Sequence, residues 1–288
     1  MFWRNSGREP AITNSPLTVV SAASPIFFRS LLQLLLSLRR YGYTQCIVYD
    51  LGLSDAQRCQ LIRDFPWAQL RSLPSGPPHL GDWSNYAWKP TALAEVLEEA
   101  QGPVLWLDSA CVVVARLDPV LDHVQRHGLW VPLAGRGALA ERTHPHTLAA
   151  LEVEPHIQAA RFRAGGVCAF DPGHAGARQL VLEWRELAWN PDLLAPVGSN
   201  RGNHRYDQAL LTILLGRSQL NPSQDEIDIS SSHPVPYLRT RNKVPPGWPL
   251  LLDGLMRFYF AVRLSIDVML WKHRDRKGAN PSGEKGSS

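Results

Sequence analysis

The sequence predicts an α/β fold, a mixed but mainly parallel sheet covered by helices on both faces, followed by an amphipathic C-terminal helix. Three observations carry that prediction. Strand-length apolar runs alternate with helix-length amphipathic runs through the first half of the chain, in the order β-α-β-α-β-α-β. The strand-length runs are nearly continuous in apolar residues, as strands covered on both faces are. The chain is 288 residues long, 44% apolar and 19% charged, which is globular and sufficient for a substantial core.

Residues 1–16 read as an irregular leader. Residues 17–23 (LTVVSAA) form a strand ending in small residues, and Ser24-Pro25 then opens a helix, with Ser as cap and Pro in the first turn. Across 27–40, Arg29, Ser30, Gln33, Ser37 and Arg40 fall on one arc while leucine fills the rest, the pattern of a helix packed on a sheet. Residues 46–49 (CIVY) are the second strand, closed by Asp50. Ser54-Asp55 caps a second helix, and 68–73 forms a short third strand. A Pro/Gly loop (LPSGPPHLG, 73–81) leads to NYAWKP (85–90) and a helix over 91–100. Gly102-Pro103 breaks the chain before VLWL (104–107), its most strand-like segment. Farther on, 129–132 and 167–170 read as strands, and 176–188 and 206–215 as helices.

These elements place one α/β domain over 17–248. A helix over 249–275 and a disordered basic tail over 276–288 follow it. Asp253, Arg257, Arg263 and Asp267 interrupt the apolar C-terminal run. Four charges near a bilayer centre, at about 2.5–3.5 kcal/mol each, argue against a spanning helix. Two readings stay open: an interfacial helix held to anionic headgroups by Lys272, Arg274, Arg276 and Lys277, or a helix docked on the domain.

The net charge is +4, much of it in the tail. A near-neutral body argues against nucleic-acid binding and leaves phosphate ligands open. The four cysteines, Cys46, Cys59, Cys111 and Cys168, form no CxxC pair and read as reduced residues, three of them in or beside buried strands. The first 15 residues lack an apolar signal-peptide core. A cytoplasmic location is the expectation, with peripheral membrane contact if 249–275 is interfacial.

In parallel sheets ligands bind beyond the carboxyl ends of the strands. Ala23, Asp50 and Asp108 stand at those ends and are expected along one crevice. Asp108, where the strand 104–107 emerges, is either a site residue or a turn cap.

Its surroundings favour the site. Residues 105–110 (LWLDSA) resemble the hhhDxD element of GT-A glycosyltransferases, in which carboxylates hold a divalent metal on the sugar-nucleotide diphosphate. A diphosphate leaving as an anion needs neutralising, and Mn²⁺ or Mg²⁺ on oxygen ligands does that. Four more segments resemble family elements in the family's order. Residues 18–24 resemble the first nucleotide-binding strand, and NYAWKP resembles an element whose Lys89 would sit near the diphosphate. RFRAGGVCAF (161–170) resembles the NaGv element, where tight backbone admits the sugar. Tyr206-Asp207-Gln208 resembles the acidic DQ element of the sugar pocket. The similarity extends to glycogenin- and galactosyltransferase-like enzymes and to a branch with the YAWKP…LWLDS pattern.

The resemblance implies that Ala22, Asp50, Lys89, Asp108, Ser109, Gly165, Gly166 and Lys243 contact a nucleotide sugar, a UDP-sugar in the first instance. Asp207 and Gln208 would act at the sugar, and Asp108 with His233 would hold a divalent cation. The sequence departs from the family at Ala110, which replaces the second DxD carboxylate. Cations such as Lys89 and Lys243 could then stand in for the metal.

Each residue also has a plainer reading: Lys89 a surface lysine, Gly165-Gly166 a turn, Asp207 a helix cap. For Asp50 the preferred reading is strand termination over ribose binding, and for His144 and His146 a polar loop over a metal. The expected activity is transfer of a sugar from a nucleotide-diphosphate donor to an unspecified acceptor, with motif order leaning to the retaining class. The alternative is a non-catalytic binding or scaffold protein on a degenerate GT-A fold. A nucleotidyltransferase fits less well, because residues 22–25 lack a Gly-rich basic loop.

Overall fold

The computed structural model describes residues 17–227 and 235–240. His233, Lys243, the leader 1–16, the segment 249–275 and the tail 276–288 lie outside them. The first half contains β1 (Thr18–Ala23), α1 (Phe28–Arg40), β2 (Cys46–Asp50), α2 (Asp55–Asp64), β3 (Ala68–Arg71), α3 (Trp88–Glu99) and β4 (Val104–Leu107). It continues through β5 (Val112–Val113), α4 (Asp118–His127), β6 (Leu129–Trp130), β7 (Leu133–Ala138), α5 (Pro145–Ala150) and α6 (Pro155–Gln158). The remainder is β8 (Arg161–Arg163), β9 (Val167–Phe170), α7 (Ala175–Ala188), α8 (Pro191–Leu194), α9 (Tyr206–Arg217) and β10 (Leu238–Arg239).

The central sheet has six strands in the order β3-β2-β1-β4-β9-β6. The pairs β3-β2, β2-β1 and β1-β4 are parallel, whereas β9 runs antiparallel to both β4 and β6. Alternate residues of each strand feed opposite cores, as the two-residue pleat requires. Val19, Leu105, Leu107 and Ala169 pack under α1 and α4 with Leu31, Leu35, Val120 and Val124. Val20, Trp106, Cys168 and Phe170 pack under α3, α7 and α9 with Leu93, Val96, Trp184 and Leu211. Two small antiparallel pairs, β7-β8 and β5-β10, flank the main sheet.

Local chemistry explains where several elements begin. Ser54 and Gln57 form a reciprocal capping box at α2. α3 starts at Trp88, earlier than expected, because the Asn85 carboxamide accepts from the Ala87 N–H at 2.8 Å and starts the turn itself. Pro90 then falls in the first turn, where a missing N–H costs nothing. α4 and the antiparallel β7-β8 pair, joined through α5 and α6, are additions to the sequence reading. Leu117, Val120, Leu121 and Val124 carry the spacing of α4, Pro119 sits in its first turn, and Gly128 ends it with φ +77°.

Three fully buried tryptophans each satisfy their indole N–H on an acidic residue: Trp106 on the Asp108 side chain, Trp130 on the Asp225 side chain, Trp184 on the Asp207 carbonyl. The cores thus reach directly into the polar positions at the sheet's edge. The four cysteines are free, with Cys46, Cys111 and Cys168 buried and Cys59 exposed. No helix among the described residues is long and apolar enough to cross a membrane.

Candidate functional site

Strand order reverses between β1 and β4, since the chain leaves β1 for β2 on one side and returns to β4 on the other. A crevice forms at the carboxyl ends of such a pair. Here it is a cavity of about 530 Å³ whose wall includes Ala22 of β1, Asp108-Ser109-Ala110 after β4, Gly165-Gly166 before β9, and Gln208 of α9. Ile26, Phe27 and Trp83 supply an apolar side, with Ile26 and Trp83 exposed.

Asp108 is fixed from three directions. Its N–H donates to the Gly166 carbonyl at 2.9 Å, its carbonyl accepts from Cys111 N–H at 2.8 Å, and its Oδ1 accepts from Trp106 Nε1 at 2.8 Å. Gly166 packs so closely on it that a Cβ there would stand 2.7 Å from Asp108 Oδ2. A Cβ on Gly165 would stand 3.1 Å from Cβ of Gln208. The two glycines are therefore close-approach residues as well as a turn, and Gln208 is held over them by its Nε2 donating to the Arg163 carbonyl at 2.7 Å.

Lys89 lies one layer behind the wall. Its Nζ is 3.3 Å from Asp108 Oδ1 and 3.3 Å from Asp207 Oδ2, and donates to the Gly165 carbonyl at 2.9 Å. Lys89 and Asp207 are only 3% exposed. Asp207 Oδ2 touches the ammonium at ion-pair distance yet lacks hydrogen-bond geometry. Burial raises the Asp207 carboxyl to about 6, against the opposing pull of Lys89. On Lys89 burial acts to lower the pKa, but Asp108 and Asp207 outweigh it and hold the ammonium above the ordinary lysine range. Burial, followed by the charge of Asp108, pushes the Cys111 thiol well up, so Cys111 forms wall rather than nucleophile.

Two tyrosines brace this cluster, both with left-handed backbone: Tyr86 at φ +63° and Tyr206 at φ +46°. Their rings lie 6.0 Å apart. The Lys89 ammonium is 5.4 Å from the Tyr86 ring and 5.6 Å from that of Trp106. Bulky residues at positive φ are uncommon and cluster where surrounding structure fixes them for a purpose. Behind Tyr206, the buried His204 accepts from the His144 N–H at Nδ1 and donates from Nε2 to the Leu194 carbonyl.

Of the residues expected from the sequence, Ala22, Asp108, Ser109, Gly165, Gly166 and Gln208 line one cavity, while Lys89 and Asp207 stand behind it. Asp50 is engaged elsewhere. Its carboxylate accepts from Gly52 and Leu53 N–H groups and pairs with Arg58 at 2.6 Å, the strand-terminating role preferred for it. His144 caps a helix start by accepting from His146 N–H. Sequence reasoning assigned no role to Tyr86 or Arg201, and took Asn203 and His204 as signs of a solvated turn before Asp207, whereas His204 is fully buried. Tyr86 lay inside a recognised motif, whereas Arg201 sits in a Gly/Asn-rich loop whose composition signals only a turn.

For a divalent cation, Asp108 offers one carboxylate oxygen, Oδ2, because Oδ1 is taken by Trp106 and Lys89. Among the described residues no group of three His, Cys, Asp or Glu side chains is placed to hold a metal. Asp108 is thus the one carboxylate that the described residues present to a cation in this cavity.

The fold is a Rossmann-type α/β fold, a six-stranded, mainly parallel sheet packed between helices on both faces. No family model matches the chain, and no curated protein matches it. Solved structures similar to it include the bifunctional glycosyltransferase WbbM in its apo form (TM-score 0.47, 14% identity), with 72% of this chain aligned. Core-mannan synthase A (CmsA/Ktr4) from Aspergillus fumigatus in its Mn/GDP form is similar at TM-score 0.47 and 8% identity, over 73% of this chain and 72% of that one. The chain spans 39% of the length of WbbM.

Proposed function

We propose that the chain is a glycosyltransferase moving a sugar from a nucleotide-diphosphate donor to an acceptor. The observation that carries this reading is the cavity itself. It opens at the β1-β4 reversal and brings Asp108, Gly165-Gly166 and Gln208 onto one wall from three separate segments. A purely structural assembly has no need to hold a half-exposed carboxylate against one closely packed glycine, and Gln208 against the next, beside a cavity.

In this reading the glycines let the donor sugar lie against the sheet end. Asp108 Oδ2 and Gln208 meet its polar groups. Asp207 acts through Lys89, as a positioning residue: the ammonium fixes Asp108 Oδ1 and the Gly165 carbonyl, and Asp207 anchors the ammonium from behind. A divalent cation brought in on the nucleotide would bind Asp108 Oδ2 and neutralise the leaving diphosphate. His233, the second ligand expected from the sequence, lies outside the described residues.

The test is a thermal-shift panel of UDP-, GDP-, ADP-, CDP- and dTDP-sugars, with and without Mn²⁺. A donor at a hundred times its Kd adds about 2.7 kcal/mol of stability. For a domain of this size that is an upward Tm shift of roughly 5–10 °C. The shift should vanish in Asp108→Ala. No response to any nucleotide would sink the proposal and leave a binding or scaffold role on a degenerate fold.

A further inference from the structure

Among the described residues lining the cavity, Asp108 and Arg201 are the charged ones. Lys89, the cation expected at the diphosphate, is committed to Asp108, Asp207 and the Gly165 carbonyl and does not line the wall. An anionic ligand entering this cavity therefore meets Arg201 as the cation on its described surface.

Arg201 is seated rather than loose. Its Nη2 donates to the Tyr86 hydroxyl at 2.6 Å, and its guanidinium carbon is 5.6 Å from the Tyr86 ring centroid. No ion pair to a carboxylate engages it among the described residues, so most of its donor fork stays available. Tyr86 in turn is held by its left-handed backbone, the neighbouring rings of Trp88 and Tyr206, and the Lys89 ammonium. The ring thus neighbours two cations, Lys89 at 5.4 Å serving the carboxylates behind the wall and Arg201 at 5.6 Å on the cavity wall. The loop carrying Arg201 is braced from within: Asn200 N–H donates to Asn203 Oδ1 at 2.7 Å, and Gly202 N–H to Asn200 Oδ1 at 2.9 Å. It ends at the buried His204. Such a seat lowers the entropy cost of immobilising a long side chain, and the guanidinium fork matches paired phosphate oxygens.

We infer that Arg201, carried on Tyr86, is the phosphate-binding side chain of this cavity and takes the diphosphate of the donor. The inference rests on the nucleotide-sugar reading given above. Its ligand chemistry is a pyrophosphate unit, whichever base the nucleotide carries.

Isothermal titration of the full chain with inorganic pyrophosphate, the nucleoside diphosphates UDP, GDP, ADP, CDP and dTDP, and the nucleoside of whichever diphosphate binds tests this. Arg201→Ala should weaken the bound diphosphate and pyrophosphate at least tenfold and leave the nucleoside unchanged. Arg201→Lys should restore only part of the loss, because an ammonium lacks the fork. Because Arg201 is exposed, both variants should melt as the wild type does. Equal diphosphate and pyrophosphate binding by wild type and Arg201→Ala overturns the inference and leaves the nucleotide-sugar reading standing. If the wild type binds none of the diphosphates, both fall together.

Discussion

Lys89 carries a full charge in a position that is 3% exposed, surrounded by three aromatic rings, two carboxylates and one carbonyl. Removing one partner of a buried pair costs about 3–5 kcal/mol, chiefly because the other charge is left uncompensated. The charge stranded by Lys89→Met is Asp207, whose carboxyl burial has already raised to about 6. Lys89 is what holds that carboxyl down, so without it Asp207 rises further and the cost of ionising or protonating it grows with pH. Urea unfolding at pH 8 should show the variant destabilised by about 3–5 kcal/mol. At pH 5 Asp207 is largely protonated, and the difference between variant and wild type should shrink. An equal loss at both values would mean that Lys89 acts through packing alone.

At the scale of elements, the β9 entrance and the β4 exit meet through Gly166 and Asp108. The Gly166 backbone needs no left-handed conformation, so Gly166→Ala leaves the strand intact and pushes only on the Asp108 carboxylate, 2.7 Å from the new Cβ. Overpacking of this kind costs about 1–3 kcal/mol. The expected result in parallel denaturation and titration experiments is a modest stability loss with at least tenfold weaker sugar-nucleotide binding. Unchanged binding would mean that the Asp108 position is not what the ligand reads. Element order and the approach of Asp108, Gly165-Gly166 and Gln208 were legible because buried strands, Pro/Gly breaks and motif order are local signals. α4 was legible in principle, from Leu117, Val120, Leu121 and Val124, but its Asp, His and Arg content resembles a connection. Arg201 was not legible: its partner Tyr86 is 115 residues away, and no pattern around either residue announces the contact.

Over the whole molecule, two buried groups near the site make stability depend on pH with opposite signs. Asp207 has a native pKa of about 6, raised from 3.8. Between those values the native state holds a proton that the unfolded chain has released, so stability falls as pH rises. Burial lowers His204 from 6.5 to about 4. There the unfolded chain holds the extra proton, so stability rises with pH over much the same window. Each contribution is roughly 3 kcal/mol in full, and they largely offset each other in the wild type. Chemical denaturation from pH 4 to 7 should therefore give a flat profile for this pair, a rising one in Asp207→Asn and a falling one in His204→Gln, which retains a donor and an acceptor. Identical profiles in all three proteins would contradict the assignment.

The antiparallel course of β9 has one more consequence. In a wholly parallel sheet every strand begins at the edge opposite the cavity, and only departing chain can furnish the mouth. Because β9 travels the other way, its first residues arrive where β4 departs, and the pairing Trp106↔Cys168 and Leu107↔Val167 runs on to bring Asp108 opposite Gly166. The spacing between carboxylate and glycine is thus a matter of ladder register rather than loop conformation. Insertions in the long excursion between the two strands can be absorbed there without disturbing it, whereas a slip of one residue in β9 would turn Gly166 to the other face and dismantle the mouth.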